Sequence, residues 1–327
     1  MLAFRIAAGL IALILLPTVA TAQTYHEFGA WSTVCDNLLR CSAFGFASES
    51  DSYGYVRVRR DGRPGAQPVV ELAVQSDGKP RDRKLTVRVS GGTQRPFTVG
   101  PLDAVVDGYV AQAIIPAPVS LIFINALHGA RTAEIRLVDH AAADERSTIA
   151  LADASTALRS MHAQQAGAGV IAAPVIVAHV MHALPTPKAP GPNLVPGADP
   201  ICSSAPEMWL ALGGGVRLRG VCSEGGAYNT AYRFFRVDGG RREPVAFRIP
   251  WRAASSDDRE VVNPQLSADG LLLSGFAKGI GLGTCGEAAD FVWTGHAFRL
   301  FHFTEMRTCR GATSDDWPVL YQAKIAR

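Results

Sequence analysis

Phe276-Ala277-Lys278-Gly279-Ile280-Gly281-Leu282-Gly283-Thr284-Cys285-Gly286 opens the stretch that decides the architecture of this chain, and Cys309-Arg310-Gly311 closes it. Apolar sequence runs between them through Trp293, Phe298 and Phe301, interrupted at Thr294-Gly295-His296 where a turn would fall. A Gly-rich turn carrying one cysteine, two strand-like runs and a second cysteine predict a β-hairpin closed by a disulfide.

Working outward, further strands are expected at 208–212, 216–221, 227–237, 271–276, 291–293 and 297–303, with turns at Asp238-Gly239-Gly240 and Asp269-Gly270. Nearer the start, period-two runs occupy 53–59, 69–74 and 85–89. In Tyr55-Val56-Arg57-Val58-Arg59 the valines and arginines fall on opposite faces, as in half-buried antiparallel sheet. Two helices are expected among these strands. One covers 118–128, with Pro118 in its first turn and Gly129 at its stop; a buried strand is the competing assignment for this β-branched run. The other starts at about Asp153 as N-cap, presents Ala154, Ala157, Leu158 and Met161, and ends before Gly167. The fold class is therefore α+β and β-dominated.

Residues 1–22 read as a signal peptide: Arg5, an apolar run from Ile6 to Val19, and a small-x-small site at Ala20-Thr21-Ala22. The apolar run is short for a span of roughly 20 residues, and no later segment is long and apolar enough to cross a bilayer. The rest of the chain divides into a β-rich domain with helices (23–173), a Pro-rich linker (174–200) and a disulfide-stapled β domain (201–327). The linker, which contains Pro185, Pro187, Pro190, Pro192 and Pro196, should be stiff and extended.

The exported part holds six cysteines: Cys35, Cys41, Cys202, Cys222, Cys285 and Cys309. An even count in an oxidising compartment implies disulfides, and clustering favours nearest-neighbour pairing, with no bridge between the two domains. Metal ligation would show C-x-x-C pairs or interleaved histidines, and neither is present.

A hydrophobic content of 48% with 19% charged residues describes a globular chain, neither disordered nor polytopic. The formal charge is +3 over 327 residues. Arg57, Arg59, Arg60 and Arg63 form a basic run, yet Glu49, Asp51, Asp61 and Glu71 surround it, so nucleic acid is not an expected partner.

Several pieces together resemble a known family. Trp31-x-x-x-Cys35-Asp36-Asn37 with Cys41 is similar to the opening of domain-of-unknown-function family 1176, a set of exported proteobacterial proteins, and to proteins related to invasion-associated locus B. Ala157-Leu158-Arg159-Ser160-Met161, Gly226-Ala227-Tyr228-Asn229, Gly281 to Gly286, Trp293 to Leu300, and Cys309-Arg310-Gly311 followed by Trp317-Pro318 extend the resemblance along the exported chain. Met161-His162-Ala163-Gln164-Gln165-Ala166 departs from the family, whose helix usually continues with an acidic residue and then a Gln-Gly or Gln-Arg-like ending. The resemblance implies an exported location and an architecture, and no chemistry.

Candidate sites are few. Gly281-x-Gly283-x-x-Gly286 has dinucleotide-fingerprint spacing but is followed by strand-like sequence where the fingerprint needs a helix. His179-x-x-His182 lacks further zinc ligands. Neither Asp315-Asp316 nor Glu287 with Asp290 has the ligand rhythm of a Ca²⁺ loop. No nucleophile elbow or S-x-x-K motif is present. No catalytic residue and no cofactor is expected. Tyr228, Asn229 and Arg310 near the Gly-rich turn are the expected binding residues, since aromatic and arginine side chains anchor binding surfaces. The expected function is that of a periplasmic or secreted, non-catalytic binding protein whose partner is an envelope component or another exported protein. The alternative is an envelope hydrolase acting on peptidoglycan or polysaccharide through Glu287 or Asp290 in a cleft between domains.

Overall fold

The structure is a computed structural model that describes residues 23–48, 52–79, 82–92, 95–138, 145–166, 171–187 and 200–326. The signal peptide expected at 1–22 lies outside the described residues, as does 188–199 of the Pro-rich segment.

Alternating side chains turn one face of each strand toward a partner sheet. Seven antiparallel strands build the first sheet, in the order Thr24–Phe28, Trp31–Cys35, Cys41–Phe46, Gly54–Arg60, Val69–Gln75, Val110–Ile115 and Val105–Asp107. Glu145–Ala150, Thr132–Val138, Lys84–Ser90 and Phe97–Asp103 form a second, four-stranded sheet. Val56, Val58, Val70 and Leu72 of the first sheet share a buried cluster with Leu85, Val87, Ile135 and Ile149 of the second.

Two helices join this half, α1 at Ala117–Leu127 and α2 at Ala154–Gln165. Both lie within a residue or two of the stretches expected. Pro118 and Gly129 punctuate α1 as their backbone preferences require. Ala154, Ala157, Leu158 and Met161 are the buried stripe of α2. Thr33 Oγ1 ties its strand to that helix by donating to the Ala157 carbonyl at 2.8 Å. Asp153 occupies the N-cap position of α2, although its side chain makes no capping bond.

The distal half repeats the plan with other strands. Its six-stranded sheet runs His182–Leu184, Met208–Gly213, Val216–Gly225, Thr230–Asp238, Arg241–Pro244, with Glu260–Val262 also on Thr230–Asp238. Its five-stranded sheet runs Gln265–Leu266, Leu272–Lys278, Gly286–Trp293, Phe298–Met306, Val319–Gln322. Leu218, Phe234, Leu273, Phe291, Phe298 and Phe303 lie in one buried cluster between them.

The hairpin read from the sequence is present. Gly286–Trp293 pairs antiparallel with Phe298–Met306, starting at Gly286 opposite Met306, and a Cys285–Cys309 disulfide closes its open end. Gly286 has φ +135°, and a Cβ there would stand 2.0 Å from the Ala277 carbonyl oxygen, so only glycine fits. Cys35–Cys41 and Cys202–Cys222 are the other two bridges, and every cysteine is paired with its neighbour in sequence.

A third buried cluster joins the halves. Phe44, Phe46, Tyr55 and Val110 come from the first sheet, and Cys285, Met306, Ala312 and Trp317 come from the distal half. The segment expected as a connector is extended where it is described, and it is stitched onto the distal half. Val175–Val177 pairs in parallel with Lys324–Ala326, the His179 amide donates to the Trp293 carbonyl at 2.8 Å, and Met181 is buried in the distal core.

Candidate functional site, an arginine-lined cleft

Strand Gly54–Arg60 divides its side chains between two tasks. Val56 and Val58 enter the sandwich core, while Tyr55, Arg57 and Arg59 take the opposite face. Tyr55 lies in the cluster shared by the halves. Phe44 and Glu71 stand directly opposite Arg57 on the neighbouring strands, and Ile114 lies beyond Glu71 on the same face.

Arg57 fastens the distal half to this face. Its Nη1 donates to the Asp316 carbonyl at 2.7 Å, and its Nη2 lies 3.3 Å from the Asp316 carboxylate. It also pairs with Glu71, and its guanidinium carbon sits 5.6 Å from the centre of the Phe44 ring. The Asp316 carboxylate accepts from Tyr55 Oη at 2.8 Å, from Thr313 Oγ1 at 3.0 Å, and from Gln112 Nε2. Burial first, and then the Asp316 charge, push the Tyr55 pKa far above its ordinary value, so this hydroxyl stays a donor. Close by, Asn37 clasps the backbone of Gln322, donating to its carbonyl at 3.0 Å and accepting from its amide at 2.8 Å.

Beside this junction opens a cleft of about 550 Å³, lined by Arg40, Arg57, Arg59, Arg60 and Arg63. Its charges are layered. Asp36 is fully buried behind Arg40, to which it is paired at 2.5 Å. Glu71, with a side chain 12% exposed, backs Arg59, which is 50% exposed and 2.6 Å away. Arg60 is held by a neutral partner, donating from Nε to Gln165 Oε1 at 2.5 Å. Gln165 is itself fixed by donating to the Leu39 carbonyl at 2.7 Å. The acids nearer solvent are Asp61, 3.2 Å from Arg63, and Asp315. Burial holds the Asp36 carboxyl above its ordinary pKa, outweighing Arg40 and the amides of Arg40 and Leu38.

Carboxylates behind and guanidinium forks in front suit an anion. A guanidinium presents paired N–H donors matched to phosphate or carboxylate, and a buried acid fixes its orientation in advance.

The residues expected to bind lie elsewhere, around the Gly-rich turn. Tyr228 is exposed, with its hydroxyl 3.4 Å from the Gly279 carbonyl. Asn229 pins that turn: Nδ2 donates to the Lys278 carbonyl at 2.9 Å and Oδ1 accepts from the Lys278 amide at 3.0 Å. Arg310 lines a separate cavity with Glu27, Trp31 and Arg307. The disulfide from Cys285 to Cys309 links the turn to that cavity.

Glu287 and Asp290 do not converge. They are three positions apart on one strand and so project to opposite faces. Glu287 is held bidentately by Arg252 at 2.6 and 2.8 Å, whereas Asp290 accepts from Ser274 at 2.5 Å and faces His302 at 3.5 Å. Asp315 and Asp316 also separate, one lining the cleft and the other buried in the junction. Gly286 leads into a strand where a dinucleotide fingerprint needs a helix. Among the described residues no three His, Cys, Asp or Glu side chains gather as a ligand set for a metal.

Three disulfides with no free thiol are the mark of an oxidising compartment. Among the described residues no helix is long and apolar enough to cross a membrane.

Fold and cleft together define a disulfide-stapled, β-dominated protein of two sandwich-like halves joined by a polar junction. The chain belongs to the family described as protein of unknown function DUF1176, whose model matches residues 25–199 and 197–324. Neither curated proteins nor solved structures gave a match.

Proposed function

We propose that this chain is an exported, non-catalytic protein, periplasmic or secreted, that binds an anionic envelope component in the arginine-lined cleft. The observation that carries the proposal is the layering of charge there, with Asp36 and Glu71 behind and Arg40 and Arg59 turned outward. The two acids nearer solvent, Asp61 and Asp315, face Arg40, Arg59, Arg60 and Arg63, so positive charge stays in excess at the mouth. Export rests on the leader pattern at 1–22 and on the six paired cysteines. The two domains, 23–173 and 201–327, unfold together through their shared buried cluster, the connecting segment 174–200 being packed on the distal one where it is described, and the ligand is held where the two meet. Around the Gly-rich turn, Tyr228 and Arg310 are proposed contacts for an exported partner, with Asn229 holding the turn between them.

Native mass spectrometry of the mature protein purified from its own compartment tests this. The expected result is a retained acidic ligand on the wild type that is lost from an Arg59→Ser/Arg60→Ser variant. Retention of the same ligand by the variant would place binding elsewhere.

A further inference from the structure

One cavity joins charge to hydrocarbon. Leu121 of α1 lines a space of about 280 Å³ together with Arg60, Arg63 and Gln165, and the same two arginines line the larger cleft. Helix α1, Ala-Pro-Val-Ser-Leu-Ile-Phe-Ile-Asn-Ala-Leu, carries no charged residue. Phe123 and Leu127 satisfy the core, which leaves Leu121 and Ile122 49% and 55% exposed. Ile114, 58% exposed, is the third apolar side chain here. It stands opposite Glu71 on the sheet face that bears Arg57 and Arg59, in the strand that runs directly into α1. Single exposed aliphatics are ordinary; Leu121 beside Arg60 and Arg63, Ile122 next to it on α1, and Ile114 one strand beyond Glu71 give this end of the sheet apolar and basic groups together.

We infer that this face docks on an anionic phospholipid surface. Arg59, Arg60 and Arg63 meet the phosphates, and Ile114, Leu121 and Ile122 enter the boundary between headgroups and acyl chains. The inference rests on the anion-binding reading of the cleft and names its ligand as a membrane headgroup. Charge complementarity selects the occupant. A second copy of this chain would set arginines against arginines, and a purely apolar partner would strip water from guanidinium groups without returning a counter-charge. A phospholipid bilayer offers phosphate and hydrocarbon in adjoining layers, which is how interfacial segments with basic and apolar sides bind. The acids facing the same region are Asp61, engaged with Arg63, and Asp315; Asp36 and Glu71 lie behind the arginines.

Co-sedimentation of the mature chain with vesicles of phosphatidylcholine, alone or mixed with phosphatidylglycerol, tests the inference, with pyrophosphate titrated in parallel. The expected result is binding to the anionic vesicles only, weakening as salt screens it. Leu121→Ser/Ile122→Ser should reduce vesicle binding about ten-fold or more while leaving pyrophosphate binding and the unfolding midpoint unchanged. Arg60→Ser/Arg63→Ser should weaken both, roughly five-fold per arginine on vesicles. Pyrophosphate binding without vesicle binding overturns membrane docking and leaves the anion cleft standing. Loss of neither by the Leu121/Ile122 variant overturns the assignment of this face, and binding of neither ligand by the wild type overturns both readings.

Discussion

Arg57 and Asp316, 259 positions apart in the chain, form the polar fastening between the two halves. Both side chains are largely buried, and each satisfies the other together with Glu71, Tyr55, Thr313 and Gln112. Buried charge of this kind is tolerated only because nearly every donor and acceptor is met.

Removing one partner therefore costs more than the pair contributes. Asp316→Ala should destabilise the protein by about 3–5 kcal/mol, since Arg57 loses one of its two counter-charges and Tyr55, Thr313 and Gln112 lose their shared acceptor. Urea unfolding followed by tryptophan fluorescence reads this. Because Phe44, Tyr55, Met306 and Trp317 share one cluster, wild-type unfolding is expected as a single transition across both halves. Two separated transitions would show that the halves fold independently.

Gly286 is required by its backbone. Gly286→Ala should cost about 1–3 kcal/mol or more, because φ +135° is strained for any side chain and the Ala277 carbonyl occupies the space for a Cβ. Gly239→Ala is the control, since its Cβ would meet no neighbour and only the positive φ would be felt. Equal midpoints for the two variants would contradict this.

The Cys285–Cys309 bridge spans 24 positions and, on the chain-entropy model, contributes about 3 kcal/mol. A Cys285→Ser/Cys309→Ser double variant should lower the urea midpoint accordingly. Peptide mapping without reductant should recover the three neighbour pairs.

Acid should weaken the distal half through two carboxylates. Burial raises the pKa of Glu207, but Arg219 and Trp209 outweigh it and hold the carboxyl below its ordinary value. Burial likewise raises that of Asp290, and the bonds from His302 and Ser274 with the His302 charge bring it down. A carboxyl depressed in the folded state stabilises fully above its unfolded pKa, about 4, and that stability is lost as pH falls through the depressed value. Asp36 works in the opposite sense: raised by burial, it favours folding at low pH and loses that contribution as pH rises through its raised value. Glu207→Gln should flatten the acid limb of a stability–pH profile, and Asp36→Asn should steepen it. An unchanged acid limb in Glu207→Gln would contradict the role of Arg219.

Local chemistry made much of this fold legible. Alternation placed the strand Gly54–Arg60, punctuation by Pro118 and Gly129 placed α1, and cysteine clustering placed all three bridges. The strands Phe97–Asp103 and Val105–Asp107 carried no such signal, because most of their residues are exposed and little apolar alternation remains. The arginine run was visible as charge, and the spacing of Arg57 and Arg59 put them on one face. What covers that face was not visible, since Asp316 reaches it from a distant part of the chain, as Gln165 reaches Arg60 on the other side of the strand. Sequence marks Asn229 as a binding residue, whereas its amide is engaged in holding the Gly-rich turn through the backbone of Lys278.

Calorimetric titration of the protein with pyrophosphate, wild type against Arg59→Ser/Arg60→Ser, bears most directly on the cleft. Saturable binding that weakens with salt, and falls about ten-fold or more in the variant, is the expected result. Equal affinity in the two proteins, or no heat with either, would contradict an anion site between the halves.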